Sequence, residues 1–209
     1  MNDPITTGSR FSRILYISYD GMLEPLGESQ VVSYLERLAS DHAITLLSFE
    51  KSQDLSDRPR VLAMQRRLEA HRIAWIRLKY HKRPPVLSTV CDVIAGILRA
   101  RMQCRRHAGT IVHARGYVPA LIALGARGAS GARFLFDMRG FWVDEKVEAG
   151  HWRAGGLLYR VGKRWERRFF ASADGIVSLT EEGVRTFPQI GYDVPPTVTV
   201  EVIPTCVDL

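Results

Sequence analysis

Seven short apolar, β-rich runs recur along this chain, and each of the first six is followed by a segment whose apolar residues return at helical spacing. The runs lie at 13–18, 43–49, 74–78, 110–114, 133–136, 175–179 and 198–203. Val31, Val32, Leu35 and Leu38 carry the helical period between the first two. Val61, Leu62, Met64 and Leu68 carry it over 59–71. Pro84-Pro85 opens a long amphipathic helix to about His107, with Val90, Ile94, Ile97 and Leu98 as its expected inner face and Arg99, Arg101, Arg105 and Arg106 near its end. Helices are expected again at 118–127 and at 156–171, where Leu158, Val161, Trp165 and Phe169 keep i+3/i+4 spacing. A last helix is capped by Thr180, with Glu181 and Glu182 in its first turn. This alternation predicts an α/β chain with a mostly parallel sheet of about seven strands and helices on both faces.

The expected architecture is a doubly wound, Rossmann-like, three-layer domain over residues 11–209, preceded by a disordered lead at 1–10. A length of 209 residues with 46% hydrophobic content suits one large domain with a real core. No apolar run approaches the ~18–20 residues that cross a bilayer, and the first ten residues lack the apolar stretch of a secretory signal. Cytoplasmic placement is expected from these features. Cys91, Cys104 and Cys206 are odd in number and show no CxxC spacing, which argues against a disulfide framework or a metal site. The formal net charge of +7 favours anionic partners: phosphorylated substrates, an acidic membrane surface or nucleic acid.

Ligands of open parallel sheets bind beyond the carboxyl ends of the strands, so the residues after each run are the place to look for chemistry. After the first run, Gly21 and Gly27 flank a loop that ends at a helix start, a natural phosphate site. The spacing is neither GxGxxG nor a Walker motif, and Asp20, Glu24 and Glu28 would oppose a bare polyanion. A plain strand-to-helix turn that needs glycine for geometry is the alternative. After the fourth run, His113, Arg115 and Tyr117 supply an imidazole that can take a proton, a guanidinium and an aromatic ring. A buried, hydrogen-bonded structural histidine is the competing reading. The densest stretch is 136–145, where Asp137 and Arg139 leave a strand end ahead of Phe141, Trp142, Asp144 and Glu145. There a carboxylate can orient a hydroxyl, an arginine fork can hold phosphate, and flat rings can face a sugar. The arginine-rich face of Arg160, Lys163, Arg164, Arg167 and Arg168 reads as solvated or as resting on anionic lipid, with Lys79, His81, Lys82 and Arg83 adding to it.

Taken in order, these stretches resemble the N-terminal domain of a family 4 glycosyltransferase with the GT-B fold. The resemblance rests on ILYISYDGMLEPLGESQVVSYLERLA at 14–39, IVHARGYVPAL at 111–121, FLFDMRGFWVDEKVEAGHW at 134–152, ADGIVSLTEEG at 173–183 and VIPTCVDL at 202–209. It implies two Rossmann-like domains facing a cleft, this one on the acceptor side. It places the donor diphosphate near Gly21 and Gly27, Gly27 being the better match, and the family's polar groups on His113, Arg115, Asp137 and Arg139. Residues 203–208 resemble the I-P-N-G-V-D turn that leads into the donor-binding C-terminal domain, with Thr205-Cys206 in place of Asn-Gly.

On this reading the full protein is a retaining, hexosyltransferase-type enzyme that moves a sugar from a nucleotide-sugar to a glycan or lipid-linked acceptor, with no metal cofactor. Asp137 or His113 would orient the attacking hydroxyl. Arg139 and Arg115, with Tyr117 and Trp142, would bind acceptor or phosphate. The missing C-terminal domain would leave these 209 residues inactive by themselves, and a peripheral position on the inner face of a membrane is expected. The rival is a standalone Rossmann-like module that binds anionic lipid or nucleic acid through its basic surface. No recognition helix, RNA-binding signature or stacking platform supports specific nucleic-acid binding.

Overall fold

The computed structural model describes residues 12–128 and 131–205. The lead at 1–10 and Cys206, Val207, Asp208 and Leu209 of the terminal motif lie outside the described residues. The strands are β1 (Arg13–Ser18), β2 (Ala43–Glu50), β3 (Ala74–Lys79), β4 (Ile111–Arg115), β5 (Arg133–Asp137), β6 (Gly175–Ser178) and β7 (Thr199–Val202). They form a single sheet in the order β3-β2-β1-β4-β5-β6-β7, with every pairing parallel. The interior strands are buried on both faces, which is why they appear in the sequence as nearly unbroken apolar runs.

Between β1 and β2 the chain runs through α1 (Pro25–Gly27), a π-helical turn (Glu28–Val32) and α2 (Ser33–Leu38). Then α3 (Ser52–Ser56) and α4 (Arg58–Ala70) lead to β3. The long helix α5 (Pro85–Arg106) crosses over to β4 on the other side of β1. It is followed by α6 (Tyr117–Arg127), α7 (Trp142–Glu148), α8 (Leu157–Ser172) and α9 (Glu181–Gln189). Two hydrophobic cores result, one on each face of the sheet. Tyr16, Val31, Leu35, Leu46 and Leu68 pack in the first, and Leu15, Phe49, Ile122, Phe136 and Phe170 in the second. The strand order reverses between β1 and β4, and the crevice at that reversal is where such sheets bind ligands.

The expected cap of α9 is present: the Thr180 hydroxyl accepts the Gly183 backbone N–H at 3.0 Å. Thr180→Ala should cost about 1 kcal/mol. That corresponds to a thermal midpoint lower by roughly 2–4 °C in a chain of this size, read in a melting curve.

Two helices present a different face to the sheet from the one their large apolar residues suggest. In α5, Val90, Ile94 and Leu98 point to solvent, while Asp92, Ala100 and Cys104 are buried. The inner face of α5 is made of small residues: a Cβ at Gly96 would press on Ile122 and Phe49, and Ile97 lies against Gly125 of α6. In α8, Leu158, Val161 and Trp165 are exposed, and Lys163 and Glu166 are buried beside Phe169 and Phe170. That burial is tolerated because the charges are paired. The Lys163 ammonium meets Asp144, meets Glu166 at 2.9 Å and donates to the Tyr192 hydroxyl at 2.8 Å. Lys163 therefore does not belong to the basic outer face of α8. No helix among the described residues is long and apolar enough to cross a membrane.

Candidate functional site

Strand register gathers the polar residues of the sheet's carboxyl edge. Ser18 pairs with Arg115, Arg115 with Asp137, and Asp137 with Val177, so one row crosses β1, β4, β5 and β6. His113 lies two residues before Arg115 and so projects from the same face of β4. Val112 and Ala114 point the other way, into the core shared with Phe134 and Phe136. The Ile-Val-His-Ala-Arg pattern of β4 thus puts an imidazole and a guanidinium side by side at the switch point.

These side chains border a cavity of about 350 Å³. Its other walls are Ser29 and Gln30 of the π-helical turn, Tyr34 and Arg37 of α2, and the segment Ile203–Thr205. The Gln30 amide oxygen accepts from Arg115 Nη2 at 2.7 Å and from Arg139 Nη2 at 3.4 Å. Arg139 Nη2 also donates to Thr205 Oγ1 at 2.8 Å. Asp137 stands between an imidazole and a guanidinium: its Oδ2 is 3.5 Å from His113 Nε2 and its Oδ1 is 3.8 Å from Arg139 Nη1. Both distances are too long for good hydrogen bonds. Three buried polar atoms here, His113 Nε2, Arg115 Nε and Asp137 Oδ1, have no hydrogen-bond partner among the described residues. Buried polar groups are seldom left that way, so three together mark a place shaped for a polar ligand.

Electrostatics keep the carboxylate ready to accept. Burial pushes the Asp137 carboxyl up, but His113 beside it and then the Arg139 and Arg115 guanidiniums outweigh burial and hold it below the usual carboxylate value. Burial, with Asp137 as a lesser cause, raises the Tyr16 and Tyr34 phenols, so both stay protonated. Their rings flank the histidine, with Tyr16 at 4.5 Å and Tyr34 at 6.4 Å between centroids. Burial and the neighbouring Arg115 lower the Arg139 guanidinium. An ionised acceptor thus sits among clustered cations, able to take a hydrogen bond from an entering hydroxyl while the arginines hold an anionic group.

Of the residues expected at the site, the structure brings Asp137, His113, Arg115 and Arg139 together. It does not bring Tyr117 and Trp142 to this cavity. Tyr117 stacks on Trp142 at 5.7 Å and meets Phe136 and Phe169, and its hydroxyl donates to the Gly140 carbonyl at 2.8 Å. The pair therefore props the Met138–Phe141 loop that carries Arg139, and Trp142 opens α7 rather than lying in an extended loop.

Gly21 and Gly27 lie at the same edge, one against the other. A Cβ at Gly27 would collide with the Gly21 carbonyl and come within 3.0 Å of Met22 Cα. The amides that follow Gly21 are already engaged: Met22 N–H donates to Glu50 Oε1 at 2.9 Å and Leu23 N–H to Glu50 Oε2 at 3.4 Å. The loop's acids are paired as well, Glu24 with Lys51, Glu28 with Arg67 and Asp20 with Arg115 at 3.9 Å. Glu50, the last residue of β2, is thus the anchor of the glycine loop, with its carboxyl pushed up by burial and drawn back by Ser48, Met22 and Leu23. Glu50→Gln is expected to cost about 1–2 kcal/mol, because the amide nitrogen would face donors. Hydrogen exchange should show the Met22 and Leu23 amides opening faster than in the wild type.

Sequence reasoning missed Gln30, Thr205 and Glu50. The first two come from separate elements that meet only in the folded chain. A polar residue ending an otherwise apolar strand was the available signal for Glu50. Among the described residues no cluster of three or more His, Cys, Asp or Glu side chains is placed to hold a metal ion.

No curated protein matches the chain in sequence. Several solved structures resemble it in fold. The HepE protein of Anabaena, in complex with UDP and glucose, is 14% identical with a TM-score of 0.55, and the match covers 93% of this chain and 45% of that one. Sucrose-phosphate synthase from Thermosynechococcus elongatus is 12% identical with a TM-score of 0.59, covering 92% of this chain and 48% of that one. A UGT transferase from Siraitia grosvenorii, in complex with UDP, is 12% identical with a TM-score of 0.52, covering 92% and 50%. The chain thus spans about half the length of these structures. The family model Glycosyltransferase Family 4 matches residues 27–209. A match over nearly the whole chain, on a parallel sheet with its polar cluster at the switch point, settles the family: the chain belongs to glycosyltransferase family 4 and has the Rossmann-like fold of the N-terminal, acceptor-side domain of GT-B members.

Proposed function

We propose that this chain is the acceptor-binding side of a retaining, hexosyltransferase-type enzyme. In the complete protein a sugar passes from a nucleotide-sugar to a glycan or lipid-linked acceptor, without a metal cofactor. The observation that carries this reading is the set of buried polar atoms of His113, Arg115 and Asp137 that have no hydrogen-bond partner among the described residues, around the switch-point cavity. A donor of this class is supported by two similar structures, which hold UDP, one of them with glucose. The acceptor hydroxyl donates to Asp137 Oδ1, which has no hydrogen-bond partner among the described residues, while the His113 imidazole stands 3.5 Å from the other oxygen. Arg115 and Arg139, braced by Gln30, hold anionic or hydroxyl groups beside it. Ionised Asp137 needs only to orient the hydroxyl: the hydroxyl oxygen bonds to the sugar as the bond from the sugar to the nucleoside diphosphate breaks, and the hydroxyl proton leaves on the departing diphosphate.

The donor-binding side is taken to come from outside these 209 residues, so turnover is expected from the complete protein and not from them alone. The test is to incubate the complete protein with a panel of nucleotide-sugars and to follow sugar release or transfer. Nucleotide-sugar turnover that falls when Arg115 is changed to Gln supports the reading. A protein that neither binds nor consumes any nucleotide-sugar would overturn it, as would turnover by the 209 residues alone for the placement of the donor side.

A further inference from the structure

Outside the cavity, the least explained feature is the solvent face of α5 and α8. Val86, Leu87, Val90, Ile94, Leu98 and Met102 of α5 are 43–65% exposed, and from Leu87 on they recur every three or four residues, one stripe along about five turns. On α8, Leu157, Leu158, Val161 and Trp165 are 44–70% exposed. The two helices flank the shorter α6, whose Leu121 and Leu124 line the floor of a groove of about 1380 Å³ with Val93 and Ile97 on one wall and Trp165 on the other. Soluble chains rarely leave apolar surface this continuous without a partner.

The charge around the stripes decides what that partner is. Arg101, Arg105 and Arg106 of α5 and Arg160, Arg164 and Arg168 of α8 are exposed beside the apolar residues. The only acids in either helix, Asp92 and Glu166, are buried. An apolar centre inside a rim of a single sign fits an anionic surface with an apolar interior. A second copy of this chain would bring arginine against arginine across a two-fold contact. Nucleic acid would leave the apolar stripes uncovered. Trp165, stacked on Phe169 at 6.2 Å, has the amphipathic ring that favours the bilayer interface.

We infer that the α5–α8 face is a docking surface for an anionic lipid bilayer. The apolar stripes enter the boundary between headgroups and acyl chains, and the arginines meet lipid phosphates. Both helices start from the edge of the sheet that carries the cavity, because they follow the carboxyl ends of β3 and β5. Docking would therefore hold that edge close to the membrane. The inference is independent of the sugar-transfer reading, since it concerns the helix layer and its test reads lipid binding alone.

The experiment is co-sedimentation of the protein with phosphatidylcholine vesicles and with vesicles of equimolar phosphatidylcholine and phosphatidylglycerol, across a salt series. Binding is expected to the anionic vesicles only and to weaken as salt rises. The pair Ile94→Ser with Leu98→Ser should reduce partitioning roughly tenfold or more. Each of Arg105→Gln and Arg164→Gln should reduce it about fivefold. All four positions are exposed, so the variants should keep the wild-type melting curve, which is the control. Equal binding to both vesicle types, no binding to either, or binding that ignores these substitutions overturns the inference. So does a concentration-dependent dimer that Ile94→Ser with Leu98→Ser converts to a monomer.

Discussion

Asp137→Asn should lower the stability of the fold by about 3 kcal/mol near neutral pH and should cut the sugar transfer proposed above about a hundredfold, through lost orientation of the hydroxyl. Both effects come from the same arrangement. The Asp137 side chain is 7% exposed, with His113 at 3.5 Å and Arg139 at 3.8 Å, and Arg115 is its partner in the strand register. Removing the buried carboxylate leaves two guanidiniums close together and partly desolvated, with the exposed Asp20 carboxylate 3.9 Å from Arg115 as a weak substitute. Breaking a buried pair in this way costs about 3–5 kcal/mol, and the lower end applies because the Arg139 side chain is 27% exposed and faces an open cavity. The thermal midpoint should fall by roughly 6–12 °C. The pH dependence follows from the direction of the shift. The folded-state pKa of Asp137 is held below its ordinary value of about 3.9, so its contribution is present above that value and is lost as pH falls through the folded-state pKa. The gap between wild type and variant should be full at neutral pH and should narrow below about pH 4. Melting curves of both proteins across that range measure it, and parallel curves at every pH would rule the electrostatic account out. Inorganic phosphate should raise the midpoint of Asp137→Asn more than that of the wild type, because an anion can replace the lost charge between the arginines.

That cluster was legible in the sequence because β4 and β5 end in residues that do not suit a buried strand. His113 and Arg115 at i, i+2 in an otherwise apolar run, and Asp137 closing Phe-Leu-Phe, each mark a strand end with work to do. The seven strands were legible for the complementary reason: parallel strands buried on both faces must be apolar throughout. Helix faces were read less well. In α5 the eye goes to Val90, Ile94 and Leu98, whereas the sheet selects Gly96 and Ala100, whose small size lets α6 approach closely. In α8 two charged residues went inside because Tyr192 and Asp144, distant in sequence, pair with them. Tyr117 and Trp142 have the right chemistry for a sugar site and follow strand ends, yet Tyr117 packs on Phe169 and the two rings stack on each other beside the loop that carries Arg139. Gln30 and Thr205 carried no signal of their own, since each matters only through the arginines that the fold brings to it.

Gly27→Ala should be as damaging as the loss of Asp137, for steric reasons. The added methyl would collide with the Gly21 carbonyl oxygen, stand 2.9 Å from the carbonyl carbon and 3.0 Å from Met22 Cα. All three are backbone atoms, so no side-chain rotation can relieve the contact. Nor can the loop retreat, because Glu50 holds it through the Met22 and Leu23 amides and Gly21 lies close to that carboxylate. Overpacking against fixed backbone costs about 3 kcal/mol, which corresponds to a midpoint lower by roughly 6–12 °C. The strain should also reach the cavity. Gly27 directly precedes the π-helical turn that carries Ser29 and Gln30, and Gln30 is the acceptor shared by Arg115 and Arg139. A shift of that turn would release both guanidiniums, so acceptor affinity should fall together with stability. Gly128→Ala supplies the control: a Cβ there meets nothing within 4 Å among the described residues, and the residue has an ordinary helical φ of −62°. That substitution should be neutral or stabilising by about 0.5 kcal/mol, through the reduced freedom of the unfolded chain. If Gly27→Ala melts like Gly128→Ala, the glycine at the head of this helix is not there for close packing, and a role in direct contact with a bound phosphate becomes the stronger account of it.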